Sequence, residues 1–343
     1  MSENRTVQPI IGEAPAFLEM LEHVSRAAPL SKPVLVVGER GTGKELIASR
    51  LHFLSSRWEQ PVVKVNCAAL TESILESELF GHEAGAFTGA ARTHVGHFER
   101  ADAGSLILDE LSTISLRMQE KILRVIEYGE LQRVGGSDTL IVDVRIVGST
   151  NSDLQALAME GKFREDLLDR LAFDVVTLPP LRERLEDILP LAYAFALNMV
   201  SELRRPLFPG FAAHAASALL RHDWPGNVRE LKNAIERSVY RSEDPDKQIK
   251  KIAFDPFDSP FRLREGLRAH DDDKQVPRRR RPPLLPIDLK ERISETEKEL
   301  LQAGLEKARF NQKVAAELLG LSYHQLRGKM KKHGLDRRTA PSV

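Results

Sequence analysis

Residues 34–45 read VLVVGERGTGKE, and this stretch decides the fold. Its four leading apolar residues predict a short buried strand, and the spacing of apolar residues after Glu45 predicts a helix. Between them, a glycine-rich loop lets backbone N–H groups close around phosphate oxygens, and Lys44 can reach the β and γ phosphates. The stretch therefore predicts a nucleotide-binding loop in an α/β domain.

The loop departs from the common phosphate-loop pattern at Glu45, where a serine or threonine hydroxyl usually binds Mg²⁺. The metal must then depend more on other oxygens. For the octet alone, the alternative interpretation is a glycine-rich turn with a solvent-exposed lysine. The candidate nucleotide-binding residues of this loop are Gly38, Glu39, Arg40, Gly41, Thr42, Gly43, Lys44 and Glu45.

Short β-branched runs alternate with helical stretches through the first half of the chain. Continuous apolar runs of this kind are typical of strands covered on both faces, so the predicted fold class is α/β with a parallel sheet. Pro179-Pro180 then breaks the chain, and helical spacing to about Tyr240 predicts a small all-α subdomain. The five candidate strands are residues 34–37, 62–65, 106–108, 142–147 and 173–178.

The chain has 343 residues, 42% hydrophobic and 29% charged, which excludes disorder throughout and allows two or three domains. Its net charge of zero hides a basic end, because residues 261–343 hold 20 Lys and Arg against 12 Asp and Glu. That end suggests anion or nucleic-acid binding. The predicted division is an α/β nucleotide-binding subdomain at 1–178, a helical lid at 179–257, a flexible linker at 258–286 and a DNA-binding domain at 287–343.

No apolar run approaches the roughly 18 residues that span a bilayer, so no membrane insertion is expected. The first residues contain no apolar signal segment, and the only cysteine, Cys67, cannot form an intrachain disulfide. We therefore expect a cytoplasmic protein. The sequence supports no particular chemistry for Cys67, His94 or His97.

Two acids, Asp109 and Glu110, directly follow the third candidate strand. The carboxyl ends of parallel strands form the edge at which such folds bind ligands. Asp109 is therefore a candidate to hold Mg²⁺, usually through water, and Glu110 to polarise the water that attacks the γ-phosphate of ATP. A single acid there is often a cap, whereas a pair downstream of a phosphate loop indicates nucleotide hydrolysis.

Between these motifs, residues 85–90 read GAFTGA. The glycines let a surface loop change conformation, and Phe87 beside Thr88 makes a compact contact tip. The segment resembles the GAFTGA loop of the bacterial enhancer-binding proteins, the AAA+ activators of sigma-54 RNA polymerase. The resemblance implies an AAA+ P-loop ATPase that uses ATP and Mg²⁺, and sigma-54 contact through Gly85, Ala86, Phe87, Thr88, Gly89 and Ala90.

The resemblance covers residues 10–240 and implies roles for two polar strand ends. Asn66 is similar to the switch asparagine that holds the catalytic glutamate inactive until the γ-phosphate is sensed. Thr150-Asn151 resemble sensor I, which hydrogen-bonds near that phosphate. A plain strand-end cap is the alternative for Asn66.

Three arginines match positions that act at the nucleotide. Arg164 and Arg170 lie in a segment similar to the one that supplies arginine fingers to the neighbouring subunit, with surface salt bridges as the alternative. Arg229, within residues 224–231, resembles sensor II and would face the nucleotide. Pro225-Gly226-Asn227 of the same motif are interpreted together as a structural turn and helix cap. The resemblance also implies a homo-oligomeric ring, here a hexamer.

The end of the chain has helix–turn–helix spacing, with helices at 311–318 and 322–332 and a preceding helix at 288–307. It is similar to the Fis-type DNA-binding domain of the same activators, which dimerises through the preceding helix. A helical hairpin that binds no DNA is the alternative. The residues expected inside are Val314, Ala315, Leu318, Leu321 and Leu326, and those expected on the DNA face are Tyr323, His324, Gln325, Arg327 and Lys329.

The AAA+ resemblance begins at Ile10, so no receiver or sensor domain is expected before it. Among activators without one, the chain is most similar to those of the phage shock operon. The resemblance then implies an inhibitory regulator acting in trans, PspA. Trp58, in a polar segment before the second strand, is its candidate docking residue, and a tryptophan folded onto the domain edge is the alternative.

Together these features predict a transcription activator that binds upstream enhancer DNA. It would use ATP hydrolysis to remodel the closed sigma-54 polymerase–promoter complex into an open one. A DNA-binding regulator of the TyrR kind, which does not drive sigma-54, is the alternative, and the intact GAFTGA segment argues against it. A general unfoldase or helicase is less favoured because it gives no reason for a terminal helix–turn–helix.

Overall fold

The computed structural model describes residues 10–242, 244–258, 289–308, 311–333 and 335. They belong to two compact units, residues 1–262 and 263–343. The predicted linker at 258–286 lies, apart from Asp258, outside the described residues. Within the described part of the chain, no helix is long and apolar enough to cross a membrane.

The first unit is built on a parallel sheet of five strands in the order β2-β3-β6-β1-β7. A separate antiparallel hairpin pairs β4 with β5. The strands in chain order are β1 Val34–Val37, β2 Val62–Asn66, β3 Ser105–Asp109, β4 Glu130–Gln132, β5 Thr139–Ile141, β6 Arg145–Thr150 and β7 Asp174–Thr177. The predicted five-stranded parallel sheet is thus confirmed, with β1 next to the centre and its loop at the carboxyl edge.

The predicted range of the fourth strand, 142–147, is wrong, because that strand is β6 at Arg145–Thr150. Its N-terminal residues belong to the end of the preceding hairpin: Val142 N donates to Gly129 O at 2.8 Å. Pairing with β3 starts only where Arg145 lies opposite Ser105. Apolar residues recur through both segments, interrupted only by Asp143 and Arg145, so the pattern did not show where the hairpin ended.

Helices cover both faces of the sheet. Apolar side chains of α1 and α2 form one core with β1 and β7, and those of α3, α5, α6 and α7 form the other. The helices of this subdomain are α1 Pro15–Ala27, α2 Lys44–Phe53, α3 Glu72–Phe80, α4 His97–Arg100, α5 Leu116–Tyr128, α6 Leu154–Met159 and α7 Glu165–Leu171. Because α2 begins at Lys44, its N-terminus points at the phosphate loop.

The lid follows β7 and is helical, as predicted. It consists of short 3₁₀ turns at Leu181–Glu183 and Leu185–Asp187 and three helices, α8 Ile188–Glu202, α9 Ala213–Arg221 and α10 Asn227–Tyr240. Trp224 is fully buried among these helices, and its indole N–H donates to Leu219 O at 2.9 Å. That anchor fixes the turn through which the chain enters α10.

The second unit contains α11 Leu289–Lys307, α12 Gln312–Leu318 and α13 Tyr323–Lys332. Asn311 caps α12. Ser322 caps α13 by accepting from Gln325 N, and Ser322 N in turn donates to the side-chain oxygen of Gln325. The expectation that Val314 and Leu318 are buried is wrong, since they are 41% and 52% exposed. The neighbouring face of α12 packs inward instead, through Ala315, Ala316 and Leu319.

Candidate nucleotide site and interaction surfaces

The phosphate loop has the backbone conformation that a phosphate cradle needs. Gly41 and Gly43 have φ of 80° and 103°, a region that side chains avoid. A Cβ added at Gly43 would meet nothing within 4 Å, so this side of the loop is open to a ligand. Lys44 is only 8% exposed, and its ammonium donates to Gly38 O at 3.0 Å and Glu39 O at 3.2 Å.

Four charged groups converge at this loop. Burial lowers the pKa of Lys44, the carboxylates of Glu110 and Asp109 oppose that shift, and the guanidinium of Arg229 adds to it. The structure therefore brings together side chains from the start of α2, the end of β3 and the lid that the sequence assigned to one site. Such a mixed cluster suits the binding of a phosphate chain with a divalent cation.

The two acids have different local settings. Asp109 ends β3 and accepts a hydrogen bond from Ser149 Oγ of β6 at 2.5 Å. Glu110 has φ 56° and turns the chain into the 3₁₀ segment Leu111–Thr113. A left-handed backbone at a residue with a side chain costs free energy and is found disproportionately at functional sites.

Asn66 lies beside these acids at the end of β2, where it is the register partner of Asp109. Its side-chain oxygen accepts a hydrogen bond from Ala68 N at 2.9 Å, which is a local Asx turn. In this conformation the asparagine serves as a strand-end cap. A switch role would require this side chain to interact with Glu110.

The proposed sensor residues end β6, close to the phosphate loop. Thr150 O accepts from Gly38 N at 3.3 Å, and its hydroxyl accepts from Ser152 N at 3.0 Å. Asn151 is exposed, and its side-chain oxygen accepts from Ser152 Oγ at 3.3 Å. Glu45, the last residue of the phosphate-loop motif, forms an ion pair with Lys64 of β2 at 3.1 Å. The pair directs the Glu45 carboxylate toward β2.

Both candidate finger arginines lie on the surface of α7. The guanidinium of Arg164 donates to both oxygens of Asp166 at 3.0 and 2.7 Å. Arg170 pairs with Glu127 of α5 at 2.9 Å. In the single chain both arginines therefore form the surface ion pairs that were the alternative interpretation.

The sensor II segment contacts the phosphate loop directly. Arg229 N donates to Gly41 O at 3.3 Å. The turn and cap expected at residues 225–227 are present: Gly226 is the N-cap of α10, and Asn227 N donates to Trp224 O at 2.8 Å. Asn227, fully buried with φ 51°, does not itself cap the helix. Its side chain bonds to the phosphate loop instead.

The candidate contact loop is a compact surface turn. Gly85 N donates to Ala90 O at 2.8 Å, and Gly85 and Gly89 have φ of 84° and 108°. Phe87 at its tip is 48% exposed, and its ring packs edge to face with the ring of His82, with 4.9 Å between the ring centroids. The loop therefore offers an aromatic ring and the exposed hydroxyl of Thr88 to solvent.

The hairpin of β4 and β5, which sequence reasoning missed, holds the base of this loop. Val134 N donates to Gly81 O at 2.9 Å, and Glu83 N donates to Val134 O at 3.0 Å. Arg133 adds ion pairs to Glu83 at 2.8 Å and Glu99 at 2.6 Å. The turn of the β4–β5 hairpin and the base of the contact loop are therefore joined by hydrogen bonds and ion pairs.

A sequence signal for the hairpin existed in the adjacent glycines Gly135 and Gly136 between two short runs. A Cβ at Gly135 would come within 2.6 Å of Ala86 Cβ in the contact loop. This glycine is required by close approach as well as by its φ of 76°.

The histidines beside the loop share one partner. His94 and His97 each lie within 3.5 Å of a Glu78 carboxylate oxygen, at 3.5 and 3.4 Å. Burial lowers the pKa of His97, against the opposing effect of Glu78. These contacts are structural, and the described residues contain no group of three or more His, Cys, Asp or Glu placed to hold a metal.

Cys67 should be almost unreactive in the native protein. Burial, with smaller effects from Asp109 and Glu110, raises its pKa from 9.0 to about 12. The thiolate is the reactive form, so this shift alone lowers reactivity at neutral pH by about 10³-fold. Labelling of Cys67 with a chromogenic disulfide should be slow until denaturant is added. Equal labelling rates with and without denaturant would contradict the predicted low reactivity of the thiol.

Trp58 lies in the turn between α2 and β2 and is 52% exposed. The turn itself is fixed to the domain: Arg57 donates to the Asp143 carboxylate at 2.9 and 3.0 Å and to the Asp143 backbone oxygen at 3.0 Å. A rigid turn that presents a large aromatic ring to solvent is suited to docking a partner.

Helix α13 presents most of the residues expected to face DNA. Tyr323, His324 and Arg327 are exposed, while Leu326 and Met330 are buried beneath them. Gln325 is exposed too, although its side-chain oxygen accepts from Ser322 N in the capping box.

Lys329 differs from the other candidates on α13. Its ammonium forms an ion pair with Glu297 of α11, which also pairs with Lys332 at 2.9 Å. A DNA contact by Lys329 would have to compete with that carboxylate.

Three segments of the chain match known protein families. Residues 10–177 match the family model described as the sigma-54 interaction domain, 182–257 match the AAA+ ATPase lid domain, and 292–333 match the bacterial regulatory proteins of the Fis family.

Two curated relatives and one solved structure illustrate the similarity. The Psp operon transcriptional activator of Escherichia coli K12 is 59% identical over 324 residues, 94% of this chain and 97% of the relative. The regulatory protein AtoC of the same organism is 42% identical over 95% of this chain and 68% of the relative. The crystal structure of NtrX from Brucella abortus in complex with ATP has a TM-score of 0.67 at 32% identity, covering 95% and 70% of the two chains.

Proposed function

The chain belongs to the sigma-54-dependent transcription activators, and from that membership we propose how its own residues bind ATP, act on the polymerase and reach DNA. It is an AAA+ ATPase with a Fis-type DNA-binding domain. The observation that carries the proposal is the exposed GAFTGA loop on the same rigid subdomain as the phosphate loop and Glu110. A regulator of the TyrR kind is not favoured, because the sigma-54 interaction family matches the whole α/β subdomain.

In the proposed mechanism, residues 38–45 surround the phosphates and Lys44 replaces its bonds to Gly38 and Glu39 with bonds to phosphate oxygens. Glu110 orients the attacking water and accepts its proton, while Asn66 restrains Glu110 before the γ-phosphate is sensed. Asp109, at the carboxyl end of β3 and hydrogen-bonded to Ser149, would hold Mg²⁺, which when bound neutralises phosphate charge.

The remaining polar groups of the site are proposed to recognise the bound nucleotide. Asn151 would hydrogen-bond near the γ-phosphate, and Arg229 would face it from the lid. Arg164 and Arg170 would act on the nucleotide of the next subunit in a homo-hexamer. We place the protein in the cytoplasm and retain the domain division at 178, 257 and 286.

Replacing Lys44 with alanine should abolish nucleotide binding, whereas Glu110→Gln should bind ATP normally and fail to turn it over. The first change removes the charge that pairs with the phosphates, and the second removes the group that polarises water. Equilibrium binding of a fluorescent ATP analogue and release of inorganic phosphate separate the two effects. Full turnover by Glu110→Gln would contradict its assigned role.

DNA recognition is assigned to α13, through Tyr323, His324, Gln325, Arg327 and Lys329, with enhancer DNA upstream of the promoter as ligand. Its last turn is basic, which favours contact with phosphates. We propose that the target is the phage shock operon, since the relative that is 59% identical is named for the Psp operon.

Control is proposed to come from PspA, docking on Trp58. A buried aromatic anchor of this kind often contributes 2 kcal/mol or more to binding, roughly thirtyfold in affinity. Trp58→Ala should therefore hydrolyse ATP normally and resist inhibition by PspA, measured as phosphate release during titration. Tyr240→Ala, which removes an aromatic ring on the lid that is 65% exposed, is the matched control and should remain sensitive. Equal inhibition of both variants and the unmutated protein would remove Trp58 from the interface.

The direct test of the function is open-complex formation in vitro. The full chain, sigma-54 polymerase and a promoter with its upstream site are combined with ATP or with a non-hydrolysable analogue, and promoter melting is followed by permanganate footprinting. Melting that depends on hydrolysable ATP and on this protein is expected. Specific DNA binding and ATP hydrolysis without melting would support the TyrR-like alternative.

A further inference from the structure

The outer edge of the phosphate loop, Glu39 to Thr42, is bonded to the lid residue by residue. The central lid residue is Asn227, whose amide N–H₂ donates to Glu39 Oε2 and to Arg40 O, both at 3.1 Å. Its side-chain oxygen accepts from Leu181 N at 2.8 Å. One buried side chain therefore connects the loop, the first lid turn and the start of α10.

Glu39 has a second partner in the lid. Arg182 donates through both terminal nitrogens to the two carboxylate oxygens, at 2.8 and 2.5 Å. Hydrogen bonding to Arg182 lowers the pKa of Glu39, so the carboxylate stays ionised at neutral pH. A bidentate guanidinium pair has a defined geometry, which a single lysine contact would lack.

The next two residues of the loop are held through their backbone oxygens. Gly41 O accepts from Arg229 N at 3.3 Å, and Thr42 O accepts from Arg184 Nη2 at 3.2 Å. A Cβ at Gly41 would lie 2.3 Å from Gly226 O, so the two backbones touch. The lid thus determines the shape of the loop on the side away from the phosphates.

When only one conformation of a protein binds its ligand, the apparent Kd equals the intrinsic Kd divided by the fraction of time that conformation is present. The bonds from Asn227 and Arg182 go to oxygen atoms of the loop and use none of its backbone N–H groups, the groups that cradle phosphate. They take no part in charge development at the γ-phosphate, which the mechanism assigns to Lys44, Glu110 and the arginines. Their loss should therefore affect binding more than the chemical step.

We propose that Asn227 and Arg182 are positioning residues that, through Glu39, hold the phosphate loop in its nucleotide-binding shape and couple that shape to the position of the lid. The proposal rests on the nucleotide site described above. Asn227 would then affect the binding of ATP and ADP equally, by shaping the phosphate loop. Arg229, in contrast, is proposed to face the bound nucleotide itself.

The test is Asn227→Gly, because glycine accepts the φ of 51° without strain and removes only the side chain. If the freed loop is competent about a tenth of the time, the Kd for fluorescent ATP and ADP analogues rises about tenfold. KM should rise with it, while kcat stays within about twofold. Arg182→Ala should raise Kd less, and it should add nothing in a Glu39→Ala background because both act through that carboxylate.

The matched control is Arg204→Gly, which puts glycine at another lid residue of positive φ, 54°, exposed in the turn after α8. Its affinity for nucleotide should not change. Thermal melts by circular dichroism show whether each variant is folded at the assay temperature.

A folded Asn227→Gly with unchanged Kd overturns the proposal, as does loss of kcat at unchanged Kd. Full additivity of Arg182→Ala and Glu39→Ala overturns the route through Glu39. If the unmutated protein bound no ATP analogue, the nucleotide site itself would be contradicted, a result distinct from failure of this inference.

Discussion

Replacing Arg164 with alanine should lower ATP turnover of the assembled protein by about 10³- to 10⁵-fold, the range measured for arginine fingers in other phosphoryl-transfer systems. The expectation follows from its assignment to the nucleotide of the neighbouring subunit, where its charge would stabilise the transition state. Nucleotide binding by each subunit should persist, because the phosphate loop and Glu110 are unchanged. Phosphate release by the assembled protein is the measurement.

Loss of the fold would not explain such a decrease. The ion pair of Arg164 with Asp166 is exposed on α7, and exposed pairs contribute about 0–1 kcal/mol. The backbone at this position is held separately, because Arg164 N donates to the buried Gln119 Oε1 at 2.7 Å and alanine retains that N–H. Arg26→Ala, which removes an exposed ion pair with Glu22 on α1, is the control and should be fully active.

Mixing subunits tests whether the arginine acts across an interface. Lys44→Ala subunits cannot bind nucleotide but carry Arg164, whereas Arg164→Ala subunits bind nucleotide and lack the arginine. Mixed assemblies should recover part of the hydrolysis that neither variant has alone. Absence of recovery at every ratio, with assembly unaffected, would contradict action in trans.

Replacing Thr88 with alanine should abolish open-complex formation and leave ATP hydrolysis within about twofold of the unmutated rate. Its hydroxyl is exposed at the tip of the loop and is assigned to sigma-54, so losing a contact of hot-spot size lowers that affinity by roughly thirtyfold or more. The loop should keep its shape, because its closing bond from Gly85 N to Ala90 O is between backbone atoms.

The two activities are measured in parallel, by phosphate release and by promoter melting with sigma-54 polymerase. Thr71→Ala, an exposed threonine just before α3, controls for loss of a hydroxyl elsewhere on the subdomain and should retain both. Parallel loss of hydrolysis and melting in Thr88→Ala would show that the loop is a structural element of the ATPase.

The phosphate loop, the acid pair after β3 and the contact loop could be recognised from sequence because the residues of each motif are contiguous. The parallel sheet was also predictable, since strands buried on both faces appear as apolar runs. The hairpin of β4 and β5 was not predicted, because its strands have three residues each and most of their side chains face solvent or lie half-buried. Its function in holding Gly81 and Glu83 depends on a contact between distant segments.

The amino-acid sequence by itself determined the class of protein, the order of its domains and the local chemistry of each motif, because these depend on neighbouring residues and on apolar periodicity. It did not determine which face of α12 is buried, and the prediction that Val314 and Leu318 lie inside was wrong, because they have the same helical spacing as Ala315 and Leu319. Only the tertiary structure decided that, and only it paired Asn227 with Glu39, 188 positions away. The physical reason is that partners so distant are selected by how the lid packs on the sheet, which no local spacing encodes.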